Sequence, residues 1–256
     1  MKIGILTLRL FKNYGGILQN YALSRFLQKN GYDVETINIV WSYQLNGVKK
    51  YFVWLKRLVR NMLIGKWYSL DEEKILRNNE LVAAQRVNAF KEKNIPLSQK
   101  VYSLPGADFS DISNKYDTII VGSDQVWRPK YTGGIEKYFL SFADNRIKKI
   151  AYSASFGTDK NEYSFYEKWV CGKLIKRFDA ISVREESAIS LIREQLHWDV
   201  DVIQTLDPTM LLDITDYKSL VGQVVNNNKI FVYILDSSVQ KISFVEKLEK
   251  VLCMPG

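Results

Sequence analysis

The sequence predicts an α/β fold with a mainly parallel sheet, because short apolar segments alternate with amphipathic ones along most of the chain. Residues 2–8 are a nearly continuous apolar run, which is typical of a strand buried on both faces of a parallel sheet. A loop, a helix over 17–29 and a second strand over 33–40 follow. This order predicts the opening of a doubly wound fold, with Gly31 ending the helix in a left-handed conformation.

The same alternation continues after a long segment, residues 48–93, which we predict to be helical with a break near Gly65. Strands are predicted at 118–121, 149–153, 180–183 and 200–203, and helices at 162–176 and 185–196. In the helix over 162–176, the spacing stacks Phe165 with Trp169, and Tyr166 with Val170 and Leu174, on one face.

The sequence changes character after Leu212, where polar residues extend to residue 228. A new apolar strand over 229–235 and a helix containing Ile242 and Val245 are then predicted. One strand and one helix cannot build a core by themselves. We therefore expect a first domain over 1–225 and the start of an incomplete second domain over 226–256.

Composition excludes several classes of protein. Cys171 and Cys253 are far apart and His197 is the single histidine, so neither a disulfide framework nor a zinc or other multi-histidine metal site is expected. The apolar run at the N-terminus is too short for a secretory signal, and no stretch approaches the ~18 apolar residues of a membrane span. We expect a cytoplasmic protein.

The net charge of +8 indicates an anionic partner without identifying it. Basic and aromatic residues are interleaved over 48–68, which is consistent with a helix on the inner face of a membrane. An ordinary amphipathic helix packed on the core explains the same residues. Nucleic-acid binding is not expected, because no helix-turn-helix, RRM or zinc-finger pattern accompanies the charge.

Polar loops follow several predicted strands, and ligands of open α/β sheets bind at the carboxyl ends of strands. The first loop is Asn13-Tyr14-Gly15-Gly16, where glycines allow close approach and amides at a helix start suit an anion. It lacks the GxGxxG dinucleotide pattern. A tight turn that needs positive φ explains these residues equally well.

The second loop combines Ser123, Asp124 and Gln125 with Trp127, and this combination suits a sugar or a phosphate. The alternative is a helix start at which Ser123 or Asp124 serves as the N-cap.

The third candidate is Arg184, whose planar guanidinium matches a carboxylate or a phosphate. A structural ion pair with Glu185 is the alternative. Asp207-Pro208-Thr209 forms a further polar loop, whereas His197 at a helix end is expected to be a surface or half-buried structural residue rather than a catalytic one.

Four segments together resemble the polysaccharide pyruvyl transferase family, and their order and spacing extend over nearly the whole chain. They are the opening strand with Asn13-Tyr14-Gly15-Gly16-Ile17-Leu18-Gln19, then Gly122-Ser123-Asp124-Gln125-Val126-Trp127, then Tyr152-Ser153-Ala154-Ser155-Phe156-Gly157, and Ser182-Val183-Arg184-Glu185 with Asp207-Pro208-Thr209.

The resemblance implies a GT-B-like pair of Rossmann-like domains with the active site in the cleft between them. It implies phosphoenolpyruvate as the donor substrate, no separate cofactor, and a pyruvyl ketal formed on a saccharide or lipid-linked saccharide acceptor of a surface polysaccharide. The reaction needs an acid that protonates the methylene carbon of the donor, a base for the attacking hydroxyl, and cations that stabilise the departing phosphate.

By similarity, Arg184 is expected to bind the anionic donor, and Asp124 to orient or deprotonate the acceptor. The residues expected to bind substrate are Asn13, Tyr14, Gly15, Gly16, Ser123, Gln125 and Trp127. Members of the family continue through a second domain, whose histidine-containing segment is expected to supply the acid and donor contacts. Residues 226–256 do not match that segment, so we expect these 256 residues alone to be inactive.

Two other functions fit the sequence. One is a glycosyltransferase of the same two-domain architecture that uses a nucleotide sugar. The other is a non-catalytic protein that binds saccharide or partner proteins through its first domain.

Overall fold

The computed structural model describes residues 1–11, 13–41, 85–103, 109, 112, 114–221, 229–234 and 236–252. The chain divides into two compact units, Met1–Leu212 and Asp213–Gly256. The predicted break at Gly65 and the basic segment 48–68 lie outside the described residues. No described helix has both the length and the apolar character needed to cross a membrane.

The first unit contains a six-stranded sheet in which every neighbouring pair is parallel. Its strands are β1 (Lys2–Leu6), β2 (Asp33–Thr36), β5 (Thr118–Gly122), β6 (Lys148–Ala154), β7 (Ala180–Val183) and β8 (Ile203–Gln204), in the order β2-β1-β5-β6-β7-β8. A second, two-stranded parallel sheet pairs β3 (Ile39–Trp41) with β4 (Val101–Ser103). The predicted α/β class with a parallel sheet is confirmed.

The helices of the first unit connect these strands. They are α1 (Tyr14–Lys29), α2 (Gln85–Asn94), α3 (Pro129–Thr132), α4 (Phe165–Ile175) and α5 (Glu186–Ser190), with 3-10 turns at Ile135–Phe139 and Pro208–Met210. α5 continues as a π turn over Leu191–Gln195, which together with α5 accounts for the predicted helix over 185–196. Gly31 follows α1 with a φ of +84°, as expected for a residue that ends a helix.

Both faces of the sheet are buried, as the apolar runs predict. On β5, Ile119 and Val121 belong to the larger core, whereas Ile120 belongs to the smaller core with Ile5 and with Leu23 of α1. This division follows from the two-residue period of a strand, which sends successive side chains to opposite faces. The central strands are thereby held on both sides.

The strand order reverses between β1 and β5. The chain leaves β1 towards β2 on one side and later returns to β5 on the other side. At such a reversal the connections diverge from the carboxyl ends of the two strands and leave a crevice, which is the usual ligand site of open α/β sheets. The loops that contain Asn13 and Asp124 follow these two strands.

Three predicted elements differ from the structure. The strand over 33–40 is interrupted after Thr36, where the backbone of Thr36 bonds to Pro96 and Ser98 and the chain passes to the second sheet. The strand predicted at 200–203 is only Ile203–Gln204. Residues 229–234 form no strand, and no described strand lies beside them to satisfy their backbone groups.

The helix predicted over 162–176 is observed as α4, and the side that carries its aromatic residues is largely exposed. The helix begins at Phe165 after a capping box between Ser164 and Glu167. Its buried residues are Cys171 and Ile175, whereas Phe165 and Trp169 are 89% and 54% exposed. Periodicity placed the aromatic residues together, but the position of the sheet decides which side of the helix faces the core.

The second unit contains α6 (Ile214–Lys218) and α7 (Val239–Leu252). The apolar side chains of its described residues are largely exposed. Phe231 and Tyr233 are 89% and 74% exposed, and α7 has no buried residue.

Candidate functional site

The loop after β1 ends in a capped helix. The side chain of Asn13 accepts a hydrogen bond from the backbone N–H of Gly16 at 3.2 Å, so Asn13 is the N-cap of α1. For this reason the helix begins at Tyr14, three residues before the predicted start at Ile17. Tyr14 and Gly15 are exposed in its first turn.

Asn13 and Asp124 come together at the carboxyl ends of β1 and β5, where the strand order reverses. The side-chain amide of Asn13 donates to Oδ2 of Asp124 at 3.2 Å, although the two residues are 111 positions apart. The other carboxylate oxygen accepts from the backbone N–H of Gln125 at 2.8 Å. A Cβ on Gly16 would lie 2.6 Å from Asp124 Oδ2, so a glycine is needed there for this approach. The structure brings these predicted site residues together.

Gln125 is held by a cluster of charged residues that sequence reasoning did not assign to the site. Arg128 donates through Nη1 to Oε1 of Gln125 at 3.1 Å. It also donates through Nε and Nη2 to the two carboxylate oxygens of Glu162, at 3.0 and 3.1 Å, and Lys130 donates to the same carboxylate at 2.9 Å. These hydrogen bonds lower the pKa of Glu162 to about 2. Arg128 therefore positions Gln125 beside Asp124.

Gly157 permits the close packing of Gln125 against the loop after β6. Its φ is +63°, and a Cβ at this position would overlap the Gln125 side chain. Both the left-handed backbone and the lack of space favour glycine. In the sequence, Arg128 stands next to Trp127, and Gly157 ends the segment that begins at Tyr152. Neither feature indicates that Arg128 pairs with Glu162.

Arg184 links the ends of three neighbouring strands. It donates through Nε to Glu185 at 2.7 Å, through Nη1 to the carbonyl of Ser123 at 3.0 Å, and through Nη2 to the hydroxyl of Ser155 at 3.3 Å. The Arg184 side chain is 26% exposed. The ion pair with Glu185 that the sequence left open is formed, so part of the guanidinium is occupied by the fold.

Asp207 lies on the other side of Arg184, with 3.6 Å between Nη1 and a carboxylate oxygen. It accepts hydrogen bonds from the N–H and hydroxyl of Thr209, at 3.0 and 2.7 Å, and from the side chain of Gln19. Gln19 lies on α1, so Asp207 ties the loop after β8 to the helix that Asn13 caps. Gln19 and Asp207 belong to the family-like segments, but no role was predicted for either side chain.

Trp127 does not lie where a ligand could reach it. Its side chain is fully buried, stacks on Phe139 with ring centroids 4.9 Å apart, and donates from Nε1 to the carbonyl of Tyr138. The prediction that Trp127 contacts substrate is therefore wrong for this structure, because the indole is part of the core beneath the loop. Ser123 is also buried, at 2% exposure, and contributes its carbonyl to Arg184.

His197 is exposed, has a φ of +54°, and lies in a groove beside α4. The surface position expected for it from the sequence is therefore observed.

The charges of the site favour a polar, hydroxyl-rich ligand. Three carboxylates, those of Asp124, Glu185 and Asp207, accompany the guanidinium of Arg184, and the charge of Arg128 beside Gln125 is paired with Glu162. The side-chain amides of Asn13 and Gln125 lie beside Asp124. Carboxylates and amides together offer both acceptors and donors, which a sugar hydroxyl can use at the same time.

The sequence profile of one protein family, described as polysaccharide pyruvyl transferase, matches residues 13–252. The chain belongs to the polysaccharide pyruvyl transferase family. The resemblance stated from the quoted motifs is confirmed by this match, which covers most of the chain. In the structure, these motifs of the pyruvyl transferase family lie at the carboxyl ends of β1, β5, β6 and β7 and in the loop after β8.

The comparison with curated proteins gives no match. Among solved structures, the chain is similar to an α-glucosyltransferase in complex with UDP and a 13-mer DNA, with 12% identity and a TM-score of 0.43 over 88% of this chain. The same enzyme with UDP-glucose and DNA gives 12% identity and 0.40 over 88%, and with UDP alone 11% identity and 0.39 over 86%. The match covers 46% of each of those chains, so this chain spans about half their length.

Proposed function

We propose that this member of the pyruvyl transferase family transfers the pyruvyl group of phosphoenolpyruvate to two hydroxyls of a sugar, as a ketal. We further propose that the crevice between β1 and β5 binds the acceptor sugar. The observation that supports this most directly is the contact between Asn13 and Asp124 at the reversal of strand order. Both residues belong to the motifs on which the family resemblance rests.

Asp124 is suited to orient and deprotonate an acceptor hydroxyl. Each of its oxygens accepts one hydrogen bond within the protein, from Asn13 and from the N–H of Gln125. A carboxylate oxygen has a second lone pair, so a sugar hydroxyl can donate to Asp124 without displacing either partner. The contacts to Asn13 and Gln125 fix the orientation of the carboxylate before the sugar binds, which favours catalysis.

Arg184 is suited to contact one anionic group of the donor. A guanidinium has five N–H groups, and Glu185, Ser123 and Ser155 use three of them. The remaining N–H groups can bind a carboxylate or phosphate oxygen. Glu185 and Asp207 offset the charge of Arg184, so we propose that further cations outside this cluster balance the rest of the donor's charge.

The proposed reaction begins with a proton that adds to the methylene carbon of the donor, which becomes the methyl group of the ketal. The adjacent carbon then carries positive charge and forms a bond with the oxygen of the first sugar hydroxyl, whose proton passes to Asp124. The second hydroxyl attacks the same carbon and its proton passes to the departing phosphate, which leaves with the electrons of the broken bond between that carbon and the phosphate oxygen. Donors placed towards the departing phosphate would stabilise the charge that develops on it.

Phosphate release from phosphoenolpyruvate tests the proposal in a protein that joins these residues to a complete second domain of the family, with a cell-envelope extract as the source of acceptor. We expect release that depends on the extract, together with a mass increase of one pyruvyl ketal on the acceptor. Asp124→Asn should lower the rate by about 10²-fold or more, because the base is lost while its hydrogen-bonding shape is retained.

Arg184→Lys should raise the KM for phosphoenolpyruvate, because lysine keeps the charge but loses the planar fork. Arg146→Lys is the matched control, since Arg146 pairs with Asp144 at the surface before β6. If UDP-glucose rather than phosphoenolpyruvate were consumed, the proposed donor would be wrong. If saccharides bound with no change on Asp124→Asn, the proposed acceptor site would be wrong.

A further inference from the structure

The outer side of α4 exposes three large aromatic side chains. Phe165 is 89% exposed, Tyr166 is 69% exposed and Trp169 is 54% exposed, although they lie within the first five residues of one helix. Isolated apolar residues are common on protein surfaces, but adjacent exposed aromatic residues usually mark a contact surface. This side of the helix is independent of the crevice at β1 and β5.

Lysines surround these aromatic residues. Phe165, Trp169, Lys173 and Lys176 follow one another at intervals of four, four and three residues, which places them on one side of an α-helix. The ammonium group of Lys173 lies 3.7 Å from the centre of the Trp169 ring. Glu167 on the same helix is turned to the capping box with Ser164, so its carboxylate serves the helix start.

A shallow groove of about 390 Å³ extends this surface towards the end of the π turn. Its lining combines the apolar side chains of Trp169, Leu196 and Trp198 with the ammonium groups of Lys168, Lys173 and Lys176. These lining residues include no carboxylate and no side-chain amide. Sugar-binding grooves pair an aromatic ring with such acceptors, so this lining does not favour a saccharide.

We propose that this α4 surface, defined by Phe165, Tyr166, Trp169, Lys173 and Lys176, binds the face of an anionic lipid bilayer. Tryptophan and tyrosine favour the boundary between headgroups and acyl chains, where an apolar ring and a polar edge are both accommodated. Lysines near that boundary are attracted to anionic headgroups. The combination of exposed rings with cations on one helix side fits a planar, negatively charged, partly apolar surface.

Co-sedimentation of the full chain with vesicles tests this inference. We expect binding to vesicles of phosphatidylglycerol and phosphatidylcholine, weaker binding at high salt, and little binding to phosphatidylcholine alone. The double variant Phe165→Ser/Trp169→Ser should weaken binding at least about tenfold. The control is Phe231→Ser, which removes an equally exposed ring from the second unit.

Charge reversal separates the contribution of the lysines. Lys173→Glu/Lys176→Glu should also weaken binding at least about tenfold, since each lysine near the membrane surface contributes to affinity. Lys115→Glu/Lys148→Glu makes the same change in net charge at exposed positions next to the starts of β5 and β6, and should have a smaller effect. All the replaced side chains are exposed, so the variants should keep the thermal midpoint of the parent.

Three results would overturn the inference. The first is the absence of binding to anionic vesicles. The second is equal loss of binding in the α4 and control variants. The third is self-association of the parent chain that Phe165→Ser/Trp169→Ser abolishes, which would assign the surface to a contact between copies of the chain.

Discussion

Replacement of Glu162 by glutamine should destabilise the first unit in a way that depends on pH. The Glu162 side chain is 11% exposed and accepts hydrogen bonds from Nε and Nη2 of Arg128 and from Lys130. These bonds lower its pKa from 4.5 to about 2. Glutamine keeps the shape of the side chain but removes the charge, so Glu162→Gln isolates the ion pairs.

The pKa shift sets the upper limit of the effect. A fall from 4.5 to about 2 corresponds to about 3 kcal/mol of stability near neutral pH, since each pKa unit is about 1.4 kcal/mol. Lys130 is 65% exposed and Arg128 is 20% exposed, so solvent screens part of this interaction. We therefore expect Glu162→Gln to lower the free energy of unfolding by about 1–2 kcal/mol at pH 7.

The sign of the pH dependence follows from the depressed pKa in the folded state. The stability that Glu162 contributes is fully present above its unfolded pKa of 4.5, and it is lost as the pH falls through 4.5 towards about 2. The difference in free energy of unfolding between the parent and Glu162→Gln should thus be largest at pH 6–7 and should shrink below about pH 4.5. Urea unfolding at a series of pH values measures it.

The matched control is Asp144→Asn, which removes a carboxylate that pairs with the exposed Arg146. Asp144 is more exposed than Glu162, so its replacement should have a smaller effect. If Glu162→Gln had no larger effect than the control, or if its effect stayed constant between pH 7 and pH 3, the ion-pair reasoning would be refuted.

Three further predictions concern the backbone at two glycines, the packing of Trp127 and the role of His197. Gly157→Ala should lower the free energy of unfolding by about 1–3 kcal/mol, because φ is positive there and the added Cβ would overlap Gln125. Gly31→Ala also has a positive φ but open space around it, so it should lower that free energy by only about 1 kcal/mol. Chemical denaturation measures both variants. Trp127→Ala should lower the free energy of unfolding by about 3–5 kcal/mol in the same assay, and Trp127→Phe should lower it clearly less. Equal losses of stability in the two variants would contradict the position of the indole in the core. His197→Ala, at an exposed position outside the strand-end cluster, should leave phosphate release from phosphoenolpyruvate unchanged; a large loss of rate would assign it a role in the reaction.

Much of the candidate site could be located from the sequence. Asn13 and Asp124 each follow an apolar strand, and the carboxyl ends of parallel strands meet at one edge of the sheet. Their contact therefore follows from the position of each residue directly after a parallel strand. The same reasoning placed Arg184 at a strand end, but it could not choose between a ligand and Glu185 as its partner.

Other parts of the site depend on distances that no local pattern contains. Glu162 binds Arg128 from 34 positions away, and Asp207 accepts from Gln19 across 188 positions. Trp127 stands next to polar residues in the sequence, yet it points into the core. Neighbouring residues on an irregular loop can point in opposite directions, so adjacency does not show which side chain meets a ligand.

The sequence by itself determined the α/β class, the mainly parallel sheet and the loops at which chemistry is expected, because hydrophobic periodicity and turn residues are local properties. Only the tertiary structure decided which side of α4 is buried, how far Asp33–Thr36 extends before the chain leaves the sheet, and that residues 229–234 form no strand. These outcomes depend on what lies beside each element, since burial and backbone pairing are satisfied by neighbours that are distant in the chain.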